Sequence, residues 1–464
     1  MPRGKHLKTY DFSLRKVIFA SSIGTLIEWY DFYVFGSLVT VLATVFFPKG
    51  NEAVAFLSTL ATFAIGFVVR PFGAVFFGRI GDLIGRKFTF LITMSIMGGA
   101  TFIVGLLPSY ETIGWLAPAI LVILRLLQGL ALGGEYGGAA IYVAEHAPDD
   151  KRGFFTAYIQ TTATLGLVIS LIIVACTEAI LGAEAFNTYG WRIPFLLSGF
   201  LIGLALYVRQ SLKETPLFDR LKATGKTSLT PIRDSFRSGA WKIMALALFG
   251  ATAGQGVVWY TGQFYSLVFL QKILKLSIIE SSVLVGIALV LATPFFLVFG
   301  SLSDRIGRKP IIMAGCALST LTLIPLFKLM TSSACGPLPP IAEVGACSPA
   351  NAGVIVLAVF LLVLYVTMVY GPIAAFLVEL FPGKIRYTSL SLPYHIGNGM
   401  FGGIVPVVAT AIAARTGNLY AGLAYPVAVT AMTFIVGMLF LRETNTNRIY
   451  EEIGVAPAAA GGSQ

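Results

Sequence analysis

Charged side chains are scarce in this 464-residue chain, where Asp, Glu, Lys and Arg together make up 12% of the sequence. A soluble domain carries about 25% charged residues, and the mean hydropathy here is +0.82. Water therefore cannot be the main solvent of this protein, which excludes an ordinary soluble domain. The three histidines are dispersed and no Cys/His cluster exists, so no metal site and no cofactor are expected.

Long apolar stretches fill most of the chain. Because roughly 20 apolar residues span a bilayer as a helix, we expect an all-α membrane protein with twelve transmembrane helices. The predicted spans are 17–47, 52–77, 88–107, 113–143, 154–182, 191–209, 241–271, 278–301, 310–330, 351–381, 387–414 and 419–441.

The positive charges are distributed unevenly between the two sides of these spans. With the N-terminus in the cytoplasm, cytoplasmic segments hold 25 of the 33 Lys and Arg residues, and the outer loops hold six. The positive-inside rule then places both termini in the cytoplasm. The net charge of +11 thus indicates topology and some attraction to anionic membrane lipid, and no nucleic-acid partner is expected.

The chain also repeats itself. Residues 78–87 and 300–309 are two similar charged loops, 222 residues apart. Glu145 and Arg152 recur as Glu379 and Arg386, 234 residues later. We therefore expect two pseudo-symmetric six-helix halves around a central cavity, at 1–211 and 240–444, with a basic cytoplasmic linker at 212–239 and a cytoplasmic tail at 445–464. A duplicated bundle of this kind is the usual build of a secondary transporter.

Two of the four cysteines lie in the longest outer loop, 331–350. Cys335 and Cys347 would face an oxidising space in this topology, where a disulfide can form. Two free thiols in a mobile loop are the alternative. Cys176 and Cys316 lie in apolar spans and are expected to fill the core.

Five ionisable side chains fall inside the first four spans, where such groups are rare and usually functional. Counting residues along each helix places Asp31 level with Arg125, and Glu135 level with Arg70. Glu28 shares a helix face with Asp31. We expect Asp31, Glu28 and Glu135 to couple protons, because a substrate anion that binds an arginine would release an acid to take a proton. Static salt bridges that hold the helices together are the alternative.

Polar and aromatic side chains in other spans are candidate substrate ligands, because such groups frame small molecules. With Arg125 and Arg70, the candidate substrate-binding residues are Gln128, Tyr33, Gln255, Trp259, Tyr260, Tyr394 and Asn398. Tyrosines and tryptophans near span ends can instead be interfacial anchors. For His395 a structural role is favoured over a proton role.

These residues resemble the major facilitator superfamily. Its signature, Gly-x-x-x-Asp-(Arg/Leu)-x-Gly-Arg-Lys, matches both charged loops, although the first has Leu83 where Arg is usual. The sequences Glu-Trp-Tyr-Asp-Phe at 28–32 and Arg-Pro-Phe-Gly at 70–73 are similar to its metabolite–proton symporters, which carry α-ketoglutarate, citrate, shikimate, and proline or betaine. The resemblance supports coupling between Asp31 and Arg125. It also implies a cytoplasmic gate formed by Asp82, Arg86, Glu145, Arg152, Glu214, Asp304, Arg308, Glu379, Arg386 and Glu443.

The function expected from these features is proton-coupled symport of a small organic acid into the cell by alternating access. The protein would be a monomeric, multi-pass component of the bacterial inner membrane, and not an enzyme. Its partners would be a small-molecule substrate, protons and membrane lipid. A proton symporter of a zwitterion such as proline or betaine is the main alternative. An intramembrane enzyme or a solute sensor is disfavoured, because no catalytic cluster and no output domain are present in the sequence.

Overall fold

The computed structural model describes residues 5–48, 50–84, 86–134, 136–210, 239–335, 347, 349–382 and 385–449. Within these ranges the regular secondary structure is helical, and nine helices are long and apolar enough to cross a membrane. Two bent helix pairs raise the number to 11 if each pair is one span, and Leu91–Leu106 is a further, shorter apolar helix. The predicted all-α class with twelve membrane helices is therefore confirmed.

We number the twelve helical segments in chain order and, following the division expected from the sequence, call the first six segments the first half and the last six the second half. The first half contains α1 (Lys5–Ser37 and Val39–Phe46), α2 (Glu52–Val68 and Arg70–Ile84), α3 (Arg86–Leu106), α4 (Leu116–Gly133 and Tyr136–His146), α5 (Arg152–Leu181) and α6 (Arg192–Gln210). The second half contains α7 (Ala240–Ile273), α8 (Ile278–Ala292 and Pro294–Ile306), α9 (Arg308–Cys335), α10 (Ala352–Tyr370 and Ile373–Leu380), α11 (Arg386–Thr416) and α12 (Ala424–Phe440). The predicted linker, apart from Gly239, and the tail beyond residue 449 lie outside the described residues.

Helix α1 is not the single straight span that the sequence predicts. Its two parts meet at an angle of 62°, and Leu38 between them leaves the helical hydrogen-bond pattern. The residues just before the bend are Gly36 and Ser37. A Gly/Ser pair is a common cause of a helix kink.

Helices α7 and α11 both contain π-helical turns. In α7 they cover Leu248–Thr252, Tyr260–Tyr265 and Phe269–Ile273, and in α11 they cover Ile396–Gly402. The two helices touch closely, because the backbone of Gly397 leaves no room for a side chain at Gly256. π-Turns inside helices often mark functional sites.

Glycines allow α4 to approach α2. A Cβ atom at Gly129 would overlap the carbonyl oxygen of Gly66, and one at Gly133 would overlap that of Arg70. Small residues four apart are the usual device for such close helix contact in membranes. Gly129 and Gly133 therefore have a packing role between α4 and α2, whereas Gly137 faces Ser391 of the second half.

The two halves meet along two seams. Helix α5 packs against α8, and α2 packs against α11. The buried apolar core is continuous across both halves. We call the end where α5 and α9 begin the charged-loop end, and the opposite end the disulfide end, because Cys335 and Cys347 are bonded there with their Cα atoms 4.9 Å apart.

Candidate functional site: a cross-half latch and an aromatic centre

Glu379, near the end of α10, is the centre of the charged-loop end. Its Oε1 accepts hydrogen bonds from Arg152 Nη1 at 2.9 Å and Arg308 Nη2 at 3.0 Å. Its Oε2 accepts from Arg308 Nε at 3.3 Å and from Thr444 Oγ1 at 2.8 Å. The side chains of Arg152, Arg308 and Glu379 are 0% exposed. We call these three residues the latch, since Arg152 belongs to the first half and the other two to the second.

Asp304 adds a second bond between the halves. Its two carboxylate oxygens accept the backbone N–H groups of Gly153 at 2.8 Å and Phe154 at 2.9 Å, in the first turn of α5. A helix N-terminus carries unpaired N–H groups and a positive dipole end, both of which favour an anion. Asp304 therefore caps the start of α5. Arg308 Nη1 also donates to Asp304 at 2.6 Å, so this cap is hydrogen-bonded to a residue of the latch.

Two further acids of the predicted gate have different surroundings. Glu443 accepts the backbone N–H groups of Arg308 at 2.8 Å and Lys309 at 3.0 Å, so it caps α9 within the second half. Glu145 lies 3.9 Å from Arg386, again across the halves. This pair is the pseudo-symmetric counterpart of Glu379 with Arg152, with a longer separation.

The structure thus brings seven of the ten predicted gate residues together at one end. The remaining three lie outside what the structure describes: the side chains of Asp82 and Arg86, and the whole of Glu214. Glu135, which was predicted to couple protons, is also outside the described residues.

Arg125 in α4 is fully buried in the first half. Its Nη1 donates to Gln128 Oε1 at 2.7 Å and to the carbonyl oxygen of Phe32 at 3.4 Å, and its Nη2 donates to the carbonyl oxygen of Phe63 at 3.4 Å. The guanidinium carbon lies 4.1 Å from the centre of the Phe32 ring. Most of its hydrogen-bonding capacity is therefore already used, and among the described residues its Nε has no partner.

Arg70 has a different environment at the break in α2. The residue is 1% exposed, and among the described residues its Nε and Nη2 have no hydrogen-bond partner. Its guanidinium carbon lies 4.2 Å from the Phe67 ring centre, 4.8 Å from that of Phe32 and 5.4 Å from that of Trp29. Arg70 is thus a buried cation with unused donors at the centre of the bundle.

Asp31 does not form the predicted pair with Arg125. Its carboxylate points toward α3, where a Cβ atom at Gly98 would lie 2.9 Å from Asp31 Oδ2. Its Oδ1 has no hydrogen-bond partner among the described residues. Phe32, the next residue along α1, takes the face that looks toward Arg125. Helix geometry turns successive side chains by about 100°, so counting residues along the helix predicts the level of Asp31 but not the direction of its side chain.

A hydrogen-bond chain nevertheless connects Arg125 to the Asp31 backbone. Gln128 receives a bond from Arg125 and donates from Nε2 to Thr101 Oγ1 at 2.8 Å. Thr101 Oγ1 in turn donates to the carbonyl oxygens of Met97 at 2.9 Å and Asp31 at 3.3 Å. Glu28 lies one turn before Asp31 and is 2% exposed.

Aromatic rings from both halves stack at the centre of the bundle. The ring centres of Trp29 and Tyr33 in α1 are 5.1 Å apart, with 10° between the planes. Tyr33 stacks in turn on Trp259 of α7 at 5.2 Å and 19°. We call Trp29, Tyr33 and Trp259 the aromatic stack. Trp259 is 2% exposed and its Nε1 has no hydrogen-bond partner among the described residues.

Tyrosines continue this centre toward the charged-loop end. Tyr136 of α4 stacks on Tyr394 of α11 with ring centres 3.6 Å apart, and Tyr394 shares a 2.8 Å hydrogen bond with Tyr370. His395 touches the edges of Tyr136 and Tyr394, and both of its ring nitrogens lack hydrogen-bond partners among the described residues. Tyr260 packs edge-to-face against Phe67 at 4.8 Å.

The two predicted amides of the second half bind each other. Gln255 Nε2 donates to Asn398 Oδ1 at 3.0 Å, and Asn398 Nδ2 donates to Gln255 Oε1 at 2.8 Å. The pair links α7 to the π-helical turn of α11. Both residues are buried.

Sequence reasoning missed several residues of this centre. Five buried residues contact predicted site residues but were not predicted as site residues themselves: Trp29, Phe32, Thr101, Tyr136 and Tyr370. Trp29 and Phe32 share one face of α1 with the predicted Tyr33, and this spacing was the signal that could have found these two.

Comparison with known proteins identifies relatives of the whole chain. The family model described as sugar (and other) transporter matches residues 16–454. The glycine betaine/proline/ectoine/pipecolic acid transporter OusA of Dickeya dadantii (strain 3937) is 35% identical over 459 residues, covering 97% of this chain and 87% of the relative. The proline/betaine transporter of Escherichia coli (strain K12) has the same identity and coverage.

Solved structures with the same fold come from a sugar transporter. The crystal structure of a D-xylose–proton symporter has a TM-score of 0.70 and 19% identity, covering 93% of this chain and 99% of that chain. The structure of the major facilitator superfamily proton:xylose symporter XylE bound to 6-bromo-6-deoxy-D-glucose has a TM-score of 0.73 and 18% identity, covering 95% and 98%. At this identity the likeness concerns the fold alone.

Proposed function

The chain belongs to the sugar (and other) transporter family and has the major facilitator fold, and from this premise we propose that it is a proton-coupled importer of a small zwitterion of the proline or betaine type. The observation that carries the proposal is the aromatic stack beside Arg70, at the junction of the two halves. The names of the two relatives favour the same class of cargo.

The aromatic stack supplies the surface for the cationic end of such a molecule. Aromatic faces attract quaternary and secondary ammonium groups, and tryptophan does so best. Trp29 and Tyr33 come from one half and Trp259 from the other. In the present state the rings contact each other, so cargo would enter by separating Trp259 from Tyr33 as the halves move apart. A cation between the rings would then contact both halves at once.

Arg70 supplies the counterpart for the carboxylate. Its guanidinium carbon is 5.4 Å from the Trp29 ring centre, and its Nε and Nη2 are the unused donors described above. The carboxylate and ammonium groups of proline or betaine are separated by one carbon atom. Arg70 and the aromatic stack are close enough to hold the two ends of such a molecule together.

The organic acid expected from the sequence is less well supported. In the sequence, two buried arginines, Arg70 and Arg125, favoured an anion, because either could bind a substrate carboxylate. In the structure Arg125 is occupied by Gln128 and by the carbonyl oxygens of Phe32 and Phe63. Arg70 has two nitrogens, Nε and Nη2, without a partner in the described part of the chain. One such cation suits one carboxylate, whereas a di- or tricarboxylate would require further positive charge.

Protons would be carried by the buried acids of the first half. An ionised carboxylate without a partner is costly inside a membrane protein, and Asp31 has no cationic partner among the described residues. We assign the coupling role to Asp31, with Glu28 and Glu135 as further acids. The chain through Thr101 and Gln128 would transmit a change at Asp31 to Arg125 and from there to Phe32, which also contacts Arg70.

The latch and the Asp304 cap would close one side of the pathway. We place the charged-loop end in the cytoplasm, because the positive charges of the sequence are concentrated there. Both termini would then be cytoplasmic, in the bacterial inner membrane, and the monomer would be the transporting unit. In this arrangement the present state is closed toward the cytoplasm.

Uptake into proteoliposomes tests the proposed cargo. We expect labelled glycine betaine and proline to accumulate when the lumen is alkaline, and α-ketoglutarate and citrate neither to accumulate nor to compete. A cation–π contact of about 1–2 kcal/mol predicts that Trp259→Leu raises the apparent KM for betaine roughly 5- to 30-fold. Trp115→Leu is the matched control, since Trp115 is 68% exposed on the surface.

Arg70→Gln should abolish uptake of both zwitterions while the protein still folds. Accumulation of α-ketoglutarate or citrate without any of proline or betaine would refute the proposed cargo. An unchanged KM in Trp259→Leu would remove the aromatic stack from the binding site.

A further inference from the structure

A pocket of about 190 Å³ lies between the two halves at the disulfide end. Its walls come from the first turns of α2, from the end of α7 with the turn that follows it, and from the last turns of α11. The pocket is thus shared by both halves, far along the bundle from the latch. The residues that give it chemical character are Phe56, Lys272, Lys275 and Thr410.

Two lysines place positive charge at this pocket. The Nζ atom of Lys272 lies 4.9 Å from the centre of the Phe56 ring, a cation–π contact from α7 to α2. Lys275 follows three residues later and also lines the pocket. No acidic side chain is among the described residues that form its walls. The charged side chains among the described lining residues are therefore positive.

Thr410 contributes an unused hydrogen-bonding group. The residue is 8% exposed, and its Oγ1 has no hydrogen-bond partner among the described residues. A buried hydroxyl without a partner costs free energy, and most threonines in membrane helices satisfy theirs on a carbonyl one turn earlier. The Thr410 hydroxyl can instead donate to a ligand in the pocket.

The segment that carries the lysines is held in place. The backbone N–H of Cys347 donates to the carbonyl oxygen of Leu274 at 3.2 Å, and Cys347 is bonded to Cys335 at the end of α9. Lys275 has a φ of 55°, and no other described residue apart from glycines has a positive φ. Non-glycine residues adopt this conformation when their surroundings impose it. The backbone that carries Lys275 is therefore held in place before any ligand arrives.

The first turn of α2 adds to the electrostatic preference. Ala53 lies in that turn and lines the pocket, so the positive end of the α2 dipole lies at its wall, beside Glu52 and the capping side chain of Asn51. Helix N-termini favour anions. Two lysines, a hydroxyl donor and a helix N-terminus together match an anionic oxygen group.

From these features we infer that the pocket is a binding site for an anionic oxygen group, a phosphate or a carboxylate, and that its ligand holds the disulfide end closed. Such a ligand would contact Lys272 and Thr410 of the second half and the first turn of α2 in the first half. It would therefore favour the state in which these surfaces are together. The group could come from the phosphodiester of an anionic lipid or from a soluble anion. The site is independent of the identity of the cargo.

Thermal unfolding of the purified full chain tests the binding. Phosphatidylglycerol and inorganic phosphate are the two probes, with phosphatidylcholine and with chloride of equal ionic strength as their references. A ligand that binds only the folded state raises Tm, and we expect a rise of roughly 2 °C. Lys272→Gln and Thr410→Val should each lose this rise. Lys328→Gln is the matched control, because Lys328 also lies over an aromatic ring, that of Tyr420, but not at the pocket.

The outcomes of the unfolding experiment identify the source of the ligand or refute the site. A response to phosphatidylglycerol alone identifies the lipid as the source, and a response to phosphate alone identifies a soluble anion. Phosphate stabilises many proteins through general exclusion from their surfaces, so an equal rise in wild type and Lys272→Gln would overturn the site. No rise with either probe would do the same.

Transport tests whether the ligand holds the disulfide end closed. The quantity to compare is the ratio of the uptake rate of Lys272→Gln to that of the wild type. Adding the active probe should raise this ratio at least about threefold. Equal slowing of the two proteins, or none in either, would refute the effect on closure.

Discussion

Replacing Glu379 with glutamine should open the charged-loop end. The substitution removes the charge that Arg152 and Arg308 share, while both guanidinium groups stay buried in the closed state. Removing one partner of a buried ion pair costs about 3–5 kcal/mol. This cost falls on the closed state alone, because the arginines would be hydrated once the halves separate. At about 1.4 kcal/mol per factor of ten, the lower figure shifts the equilibrium roughly 100-fold toward opening.

Maleimide labelling of a cysteine in the seam provides the assay for Glu379→Gln. Ala157 of α5 is fully buried. A Cβ atom added at Gly300 of α8 would lie 2.6 Å from the Cβ atom of Ala157. In an Ala157→Cys background, we expect Glu379→Gln to raise the labelling rate at least about tenfold. The parent without this cysteine measures the background from Cys176, which is exposed.

Glu443→Gln is the matched control for the same assay. Glu443 caps α9 within one half, so its loss should cost about 1 kcal/mol of stability without favouring either state. If Glu379→Gln labelled no faster than its parent, or Glu443→Gln labelled equally fast, the cross-half ion pairs would not be what holds this end closed.

Three further predictions follow from packing, covalent structure and the buried acid. Gly129→Ala should lower stability by about 1–3 kcal/mol, whereas Gly99→Ala, where a Cβ meets open space, should be neutral or slightly stabilising; equal Tm values would contradict the close contact of α4 with α2. Replacing Cys335 and Cys347 by serine should cost about 3 kcal/mol, measured by thermal unfolding, and an unchanged Tm would show that the disulfide does not constrain the loop. Asp31→Asn should abolish accumulation against a gradient while counterflow exchange persists, and gradient-driven accumulation at the wild-type level would exclude Asp31 from coupling.

The sequence predicted the helices well because the bilayer imposes their length. Twelve apolar stretches became twelve helical segments, with ends that mostly differ by a few residues. The 62° bend of α1 and the π-turns of α7 and α11 were not predicted. They depend on how neighbouring helices pack, and hydropathy averaged over a window contains no such information.

The candidate site was predicted only in part, because the way neighbouring helices pack again decides which side chains meet. The repeat of acids and bases at matched positions pointed to Glu379, Arg152 and Arg308, and charges that recur in this way lie together in the structure. The level of Asp31 and Arg125 in the membrane followed from residue counting. Their directions depend on the rotation of each helix about its axis, which residue counting does not give. The same limit hid Trp29 and Phe32, whose importance comes from the face they share.

The cap that Asp304 provides has a consequence for how cargo would leave. When the two halves separate at that end, the amides of Gly153 and Phe154 lose their acceptor, and Lys151, the N-cap residue of α5, makes no side-chain hydrogen bond to the helix start. Water must take that place, because exposed donors in an apolar surrounding are too costly to leave bare. Separation and flooding of the mouth would therefore be one event, so a dissolved molecule would exit through a wetted passage and never through a dry one.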